Sequence, residues 1–63
     1  MVGYDQNKIV QCSSKAEAES LMGNTLVPPE VFRWEARYSS FGDCWVIAAL
    51  SEKGFLLGYL LKA

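Results

Sequence analysis

Apolar residues in the second half of the chain form three segments with patterns typical of β-strands. In residues 31–39, apolar side chains alternate with charged or polar ones, which predicts a strand with one buried and one charged face. Residues 44–50 and 55–61 are apolar at nearly every position and predict strands buried on both faces. Turn-forming residues at 39–43 and at 52–54 separate the three segments, so we expect an antiparallel meander over residues 31–62.

The first half of the chain predicts one strand and one short helix. Residues 1–7 are polar enough for a loosely ordered lead-in, and β-branched residues at the centre of 8–12 predict a first strand. Ser14 and Glu17 have the spacing of a capping box, which predicts a helix over about residues 15–22. Gly23 is the expected left-handed residue after this helix.

These segments predict a single α+β domain over residues 1–63 with the element order β-α-β-β-β. We expect one short helix on one side of a mostly antiparallel, four-stranded sheet. The first strand can lie beside either the second or the fourth, because a helical crossover of this length also permits a parallel, right-handed unit.

The predicted helix is too short to cover the predicted sheet. Eight helical residues extend about 12 Å, whereas four strands present a face on the order of 400 Å². We therefore expect a dimer or higher oligomer, formed by packing sheets face to face or by adding strands at the edge of the final strand. The candidate interface is a set of apolar residues on the last two strands: Trp45, Ile47, Phe55, Leu57, Tyr59 and Leu61. The alternative is a monomer in which Tyr4 and the connector at 26–29 cover the second face.

Composition narrows the candidate chemistry. The chain has no histidine and only two cysteines, Cys12 and Cys44, so we expect no metal site, no cofactor and two reduced, buried thiols, with a single disulfide as the alternative. A Cys44 nucleophile would lack a histidine base, and no carboxylates have a spacing that predicts an acid–base pair. We therefore expect no catalytic residues and no enzymatic activity.

Arg33 and Arg37 lie four residues apart on the charged face of a predicted strand, with Tyr38 next to them. Two guanidinium groups at this spacing can bind a small anion or an acidic partner, so these three residues are the candidate ligand or partner contacts. In the competing interpretation, this is a solvated strand face on which Glu35 is an ordinary charge partner. A formal net charge of −1 argues against nucleic-acid binding.

The apolar stretch at residues 45–61 is interrupted by charges and a turn signal at 51–54, which predicts a soluble hairpin and no membrane span. The start of the chain lacks the pattern of a signal peptide, so a cytoplasmic location is expected. The expected function is that of a small, non-catalytic, homo-oligomeric protein-interaction module that binds or inhibits another macromolecule. The alternative is an oligomer that sequesters a small anionic ligand, such as a nucleotide, at an inter-subunit cleft.

Overall fold

The computed structural model describes residues 1–63 and contains one helix and one antiparallel sheet. In chain order, the elements are β1 (Val2–Gly3), α1 (Lys15–Gly23), β2 (Arg33–Ser39), β3 (Cys44–Leu50) and β4 (Leu56–Leu60). The sheet has the strand order β1-β4-β3-β2, and all neighbouring strands are antiparallel. The predicted α+β class, the four-stranded sheet and the meander of β2, β3 and β4 are confirmed.

The helix α1 begins at the predicted cap. Ser14 Oγ accepts a hydrogen bond from the Glu17 amide at 3.1 Å, which satisfies one of the free amides of the first turn. The Glu17 carboxylate accepts hydrogen bonds from the Ser13 hydroxyl at 2.6 Å and from the Ser13 amide at 3.4 Å. The returning half of the capping box is therefore displaced by one residue from the expected Ser14 amide.

The end of α1 differs from the prediction. Gly23 is the last helical residue and does not have a positive φ. The amide of Asn24 donates to the carbonyl of Leu21, and the Thr25 hydroxyl donates to the same oxygen at 2.8 Å. Side-chain and backbone donors after the helix thus satisfy its last carbonyls, so a left-handed glycine is not required.

The first strand lies earlier in the chain than the sequence predicts. Val2–Gly3 forms β1 and pairs with β4 opposite Leu60 and Tyr59. The expected lead-in at residues 1–7 therefore contains a strand at the edge of the sheet, placed beside the fourth strand and antiparallel to it. Two residues are too few to produce a detectable hydrophobic period, which is why the pattern along the chain did not indicate this strand.

Residues 8–12, predicted as the first strand, form only isolated bridges in the sheet. The Val10 amide donates to the Leu60 carbonyl at 3.0 Å, while Cys12 and Trp45 exchange two backbone hydrogen bonds of 2.8 Å. The segment is thus bonded to β4 at one end and to β3 at the other. It lies between the portions of these two strands that do not pair with each other.

A β-bulge changes the register between β3 and β4. Ala48 opposes Tyr59 and Ala49 opposes Gly58, but the register shifts by one residue next to Leu50. Because opposed residues share a face, odd-numbered residues of β3 share a face with even-numbered residues of β4 from Gly58 onward, whereas Leu50 shares a face with Leu56. The predicted arrangement has odd-numbered residues of both strands together. The extra residue of the bulge therefore divides the candidate interface between the two faces.

The two faces of the sheet are covered by different parts of the chain. On one face, Trp34 and Ile47 pack with Ala18 of α1 in the hydrophobic core. On the other face, the ring of Tyr4 packs edge-on against Tyr59, with 6.0 Å between ring centroids. The side chains of Gln6, Ile9 and Gln11 also lie on this side, where they line a cavity with β3 residues.

The chain itself thus covers the face opposite α1. Val46, Ala48 and Leu50 of that face are all buried. The connector after α1 contributes little, since Leu26 is 92% exposed. These residues of the face from which an oligomer was expected are therefore not bare, and Tyr4, which the pattern assigns to a loose lead-in, packs against Tyr59 on the same face.

Candidate functional site

One cavity, of about 370 Å³, lies on the face of the sheet opposite α1. Cys44 and Val46 of β3 and Tyr59 of β4 line it from the sheet. Residues of the segment at 6–11 and of the turn after β2 form its sides. Side chains of the N-terminal segment therefore form part of the cavity wall.

Arg37 is the only charged residue that lines the cavity. Its Nη2 lies 2.8 Å from Glu35 Oε2, and its Nε donates to the same oxygen at 3.0 Å. The two side chains are 43% and 39% exposed, so the pair contributes only about 0–1 kcal/mol. A guanidinium group has five N–H donors, and Arg37 therefore retains donors that an anion in the cavity can use.

Tyr38 and Asp43 close the turn at the edge of the cavity. The Tyr38 hydroxyl donates a short hydrogen bond to the Asp43 carboxylate, and its ring lies edge-on to Trp45 with 5.8 Å between centroids. The hydrogen bond to Asp43 is the main cause of the raised pKa of Tyr38, followed by desolvation and the charge of Cys44. Asp43 has a φ of 48°, a left-handed conformation in which Asp is better tolerated than most residues.

The two cysteines are free and buried, as predicted. Cys12 lies in the core beneath α1, whereas Cys44 lines the cavity on the opposite face. Burial is the main cause of the raised pKa of the Cys12 thiol, and the charges of Glu17 and Cys44 raise it further. A raised pKa disfavours the reactive thiolate of Cys12 near neutral pH.

The candidate ligand contacts are only partly brought together. Arg37 and Tyr38 line the cavity, whereas Arg33 is exposed at the far end of β2 and does not. Of the two arginines that were predicted to act together, only Arg37 therefore lies at the cavity.

The candidate interface residues do not form one surface. Ile47 is fully buried and Leu61 is 8% exposed, so both belong to the interior of the chain. The remaining four are at least partly exposed: Trp45, Phe55, Leu57 and Tyr59.

An exposed aromatic pair lies at the end of the sheet where β3 leads into β4. Phe55 belongs to the candidate interface, but the sequence analysis did not pair it with Phe32. The Phe32 amide donates to the Leu50 carbonyl, and the Ser51 amide donates to the Phe55 carbonyl. Phe32 and Phe55 therefore flank the end of β3 from its two neighbouring strands, roughly 10 Å apart. They are 59% and 68% exposed, and we call them the Phe32–Phe55 patch.

The length of the helix relative to the strands is the signal that could have revealed this patch. Nine helical residues extend roughly 13 Å, whereas a seven-residue strand extends roughly 23 Å. A helix this much shorter than β2 leaves an apolar side chain uncovered next to one end of the strand. Phe32 occupies that position.

The strand β2 provides the longest open edge of the sheet. It is the last strand in the order β1-β4-β3-β2, and the opposite edge consists of only the two residues of β1. The final strand, β4, lies between β1 and β3, so β1 already occupies part of the edge at which strand addition was one expected route to an oligomer.

No three side chains among the carboxylates and thiols come together in an arrangement that could hold a metal ion. No helix has the length and hydropathy needed to span a bilayer. Comparisons with protein-family models, with curated proteins and with solved structures find no match to this chain.

Proposed function

We propose that this protein is a small, non-catalytic interaction module that self-associates and binds another protein, whose activity it modulates or inhibits. The observation that supports this proposal is the Phe32–Phe55 patch. Both rings remain exposed although the chain buries the two faces of its own sheet, and exposed aromatic residues are typical anchors at protein interfaces. A partner with an apolar pocket fits this surface.

The test compares three immobilised proteins: the parent chain, the double variant Phe32→Ser/Phe55→Ser and the control Phe41→Ser. Phe41 is 90% exposed in the turn after β2, at the opposite end of β3, so its replacement removes a similar exposed ring from a different place. We expect one protein to bind the parent and the control but not the double variant. Binding of the purified partner, measured by calorimetry, should weaken at least tenfold in the double variant, a loss of about 1.4 kcal/mol.

Retention of the same partner by the double variant, with unchanged affinity, would contradict the proposed surface. The three proteins should have the same circular dichroism spectrum, because all of the substituted side chains are exposed. A loss of binding can then be assigned to the surface and not to unfolding.

A second candidate function, binding of a small anion, is favoured by the position of Arg37 at the cavity. This site lies within one chain and not between subunits. A nucleotide or phosphate should raise the melting temperature of the parent and of Arg33→Ala, whereas Arg37→Ala should show no shift. Arg33 is the matched control because it is on the same strand and outside the cavity. Equal shifts in both variants would exclude Arg37 as the anion contact.

A further inference from the structure

We propose that two copies of this chain pair through the free edges of β2, antiparallel and centred on Ala36, so that two four-stranded sheets become one continuous sheet. This inference rests on the self-association included in the proposed function, and it names the surface and the register. The second copy is favoured over other partner strands because β2 is complementary to itself in both hydrogen bonding and charge.

The hydrogen-bonding groups on the outer edge of β2 can be assigned from the pairing of β3. The backbone amide and carbonyl of Trp45 are both hydrogen-bonded to Cys12. Tyr38, which opposes Trp45 on β2, therefore makes no backbone hydrogen bond to Trp45. Because antiparallel pairs alternate, the amides and carbonyls of Tyr38, Ala36 and Trp34 point away from β3. An unpaired edge of this kind can recruit another strand.

The register centred on Ala36 satisfies these groups across the two-fold axis. Ala36 then opposes the partner's Ala36, and Trp34 opposes the partner's Tyr38. Every outward-pointing residue meets another one, which gives about six backbone hydrogen bonds. Since opposed residues share a face, the two α1 helices lie on the same side of the joined sheet.

Charge distinguishes this register from its neighbours. With Ala36 at the centre, Glu35 opposes the partner's Arg37, and symmetry produces this pair twice. Two neighbouring registers also place outward-pointing residues opposite each other. In these registers the two-fold axis passes through Glu35 or through Arg37 instead of through Ala36. They place Glu35 opposite the partner's Glu35, or Arg37 opposite the partner's Arg37. Like charges directly opposite each other destabilise a strand pair, so the sequence of β2 selects the register centred on Ala36.

The experiment is a charge exchange at the two opposed positions, with the dimer dissociation constant measured by analytical ultracentrifugation. Glu35→Lys and Arg37→Glu each place like charges opposite each other, and each should raise the dissociation constant about tenfold or more. The double variant Glu35→Lys/Arg37→Glu restores the opposite charges and should recover the parent value to within about threefold. Matched controls are Glu52→Lys and Lys53→Glu, which change the net charge equally at the exposed β3–β4 turn and should have no effect.

A second variant, Ala36→Pro, tests the hydrogen bonds directly. Proline removes an amide that the monomer does not use, and proline is tolerated on edge strands when its nitrogen faces solvent. We expect this variant to be folded, with a native tryptophan emission spectrum, and monomeric. The parent should have at least twice the mass of the 7.0 kDa chain.

The two ways of failing are distinguishable. A parent that sediments as a 7.0 kDa monomer at submillimolar concentration would overturn both this inference and the self-association in the proposed function. A parent that dimerises, with both single charge variants dimerising equally well, would overturn the β2 register alone and leave self-association through another surface. If Ala36→Pro does not fold, the charge exchange still decides between these outcomes.

Discussion

Gly58 and Gly23 show how differently two glycines constrain this chain. Gly58 has a φ of 150°, and a Cβ there would lie 3.0 Å from the Gly3 amide nitrogen and 3.0 Å from Val2 Cγ1. The absence of a side chain therefore lets β1 approach β4 next to the bulge. Gly23 has a helical backbone and open space around it, so nothing in its surroundings requires glycine.

We therefore expect opposite effects when each glycine is replaced by alanine. Gly58→Ala combines backbone strain with a collision against β1 and should lower the free energy of unfolding by about 2 kcal/mol or more. Gly23→Ala should raise it by about 0.5 kcal/mol, because it reduces the conformational entropy of the unfolded chain. Urea denaturation followed by tryptophan fluorescence measures both. Similar effects of the same sign would contradict the close approach of β1 to Gly58.

Trp34 illustrates the balance between burial and hydrogen bonding at one residue. Its indole Nε1 is buried without a hydrogen-bond partner, which costs about 1–3 kcal/mol. Burying roughly 200 Å² of an aromatic side chain contributes about 5 kcal/mol in the opposite direction. The burial term is the larger one, so the ring remains in the core although its polar atom is unsatisfied.

At the scale of elements, the parts of the fold that depend on local chemistry could be predicted from the sequence. The start of α1 follows from the spacing of Ser14 and Glu17. The strand β2 follows from its alternating pattern and β3 from its continuous apolar run. The strand β1 and the register after the bulge could not be predicted. Both depend on where distant segments meet, and a two-residue strand carries no period of its own.

The candidate site was predictable to a similar extent. Arg37 was identified because an arginine on the polar face of a strand is a local feature. The cavity beside it was not, because its sides come from residues 6–11 and from the turn after β2, which are far apart in the chain. The open edge of β2 was missed for the same reason, since strand order is a property of the whole sheet.

For the whole molecule, the central position of β4 ties the two ends of the chain together. The Leu61 amide donates to the Met1 carbonyl, and the Lys62 amide donates to the Lys8 carbonyl. A domain of 63 residues has a total stability of roughly 3–9 kcal/mol, so the loss of a few interactions at these ends is a large fraction of it. The N-terminal residues are therefore part of the cooperative fold.

This connection predicts the result of deleting residues 1–4. The deletion removes β1 and also removes Tyr4, whose hydroxyl donates to the Leu56 carbonyl at 3.2 Å. We expect the free energy of unfolding to fall by at least about 2 kcal/mol, because backbone hydrogen bonds and apolar cover are lost together. The control Tyr4→Phe loses only the exposed hydroxyl bond and should change it by less than about 1 kcal/mol.

The same deletion separates the two surfaces that can mediate association. Without residues 1–4, Tyr59 loses its aromatic cover, and the sheet face opposite α1 becomes the bare apolar surface that the intact chain lacks. The fraction of the deletion variant that folds should therefore form assemblies larger than those of the parent. Ala36→Pro should not suppress these assemblies, because they do not use the β2 edge. Light scattering on the deletion variant, with and without Ala36→Pro, measures this. A deletion variant with the parent's stability and the parent's mass would show that residues 1–4 neither stabilise the fold nor protect that face.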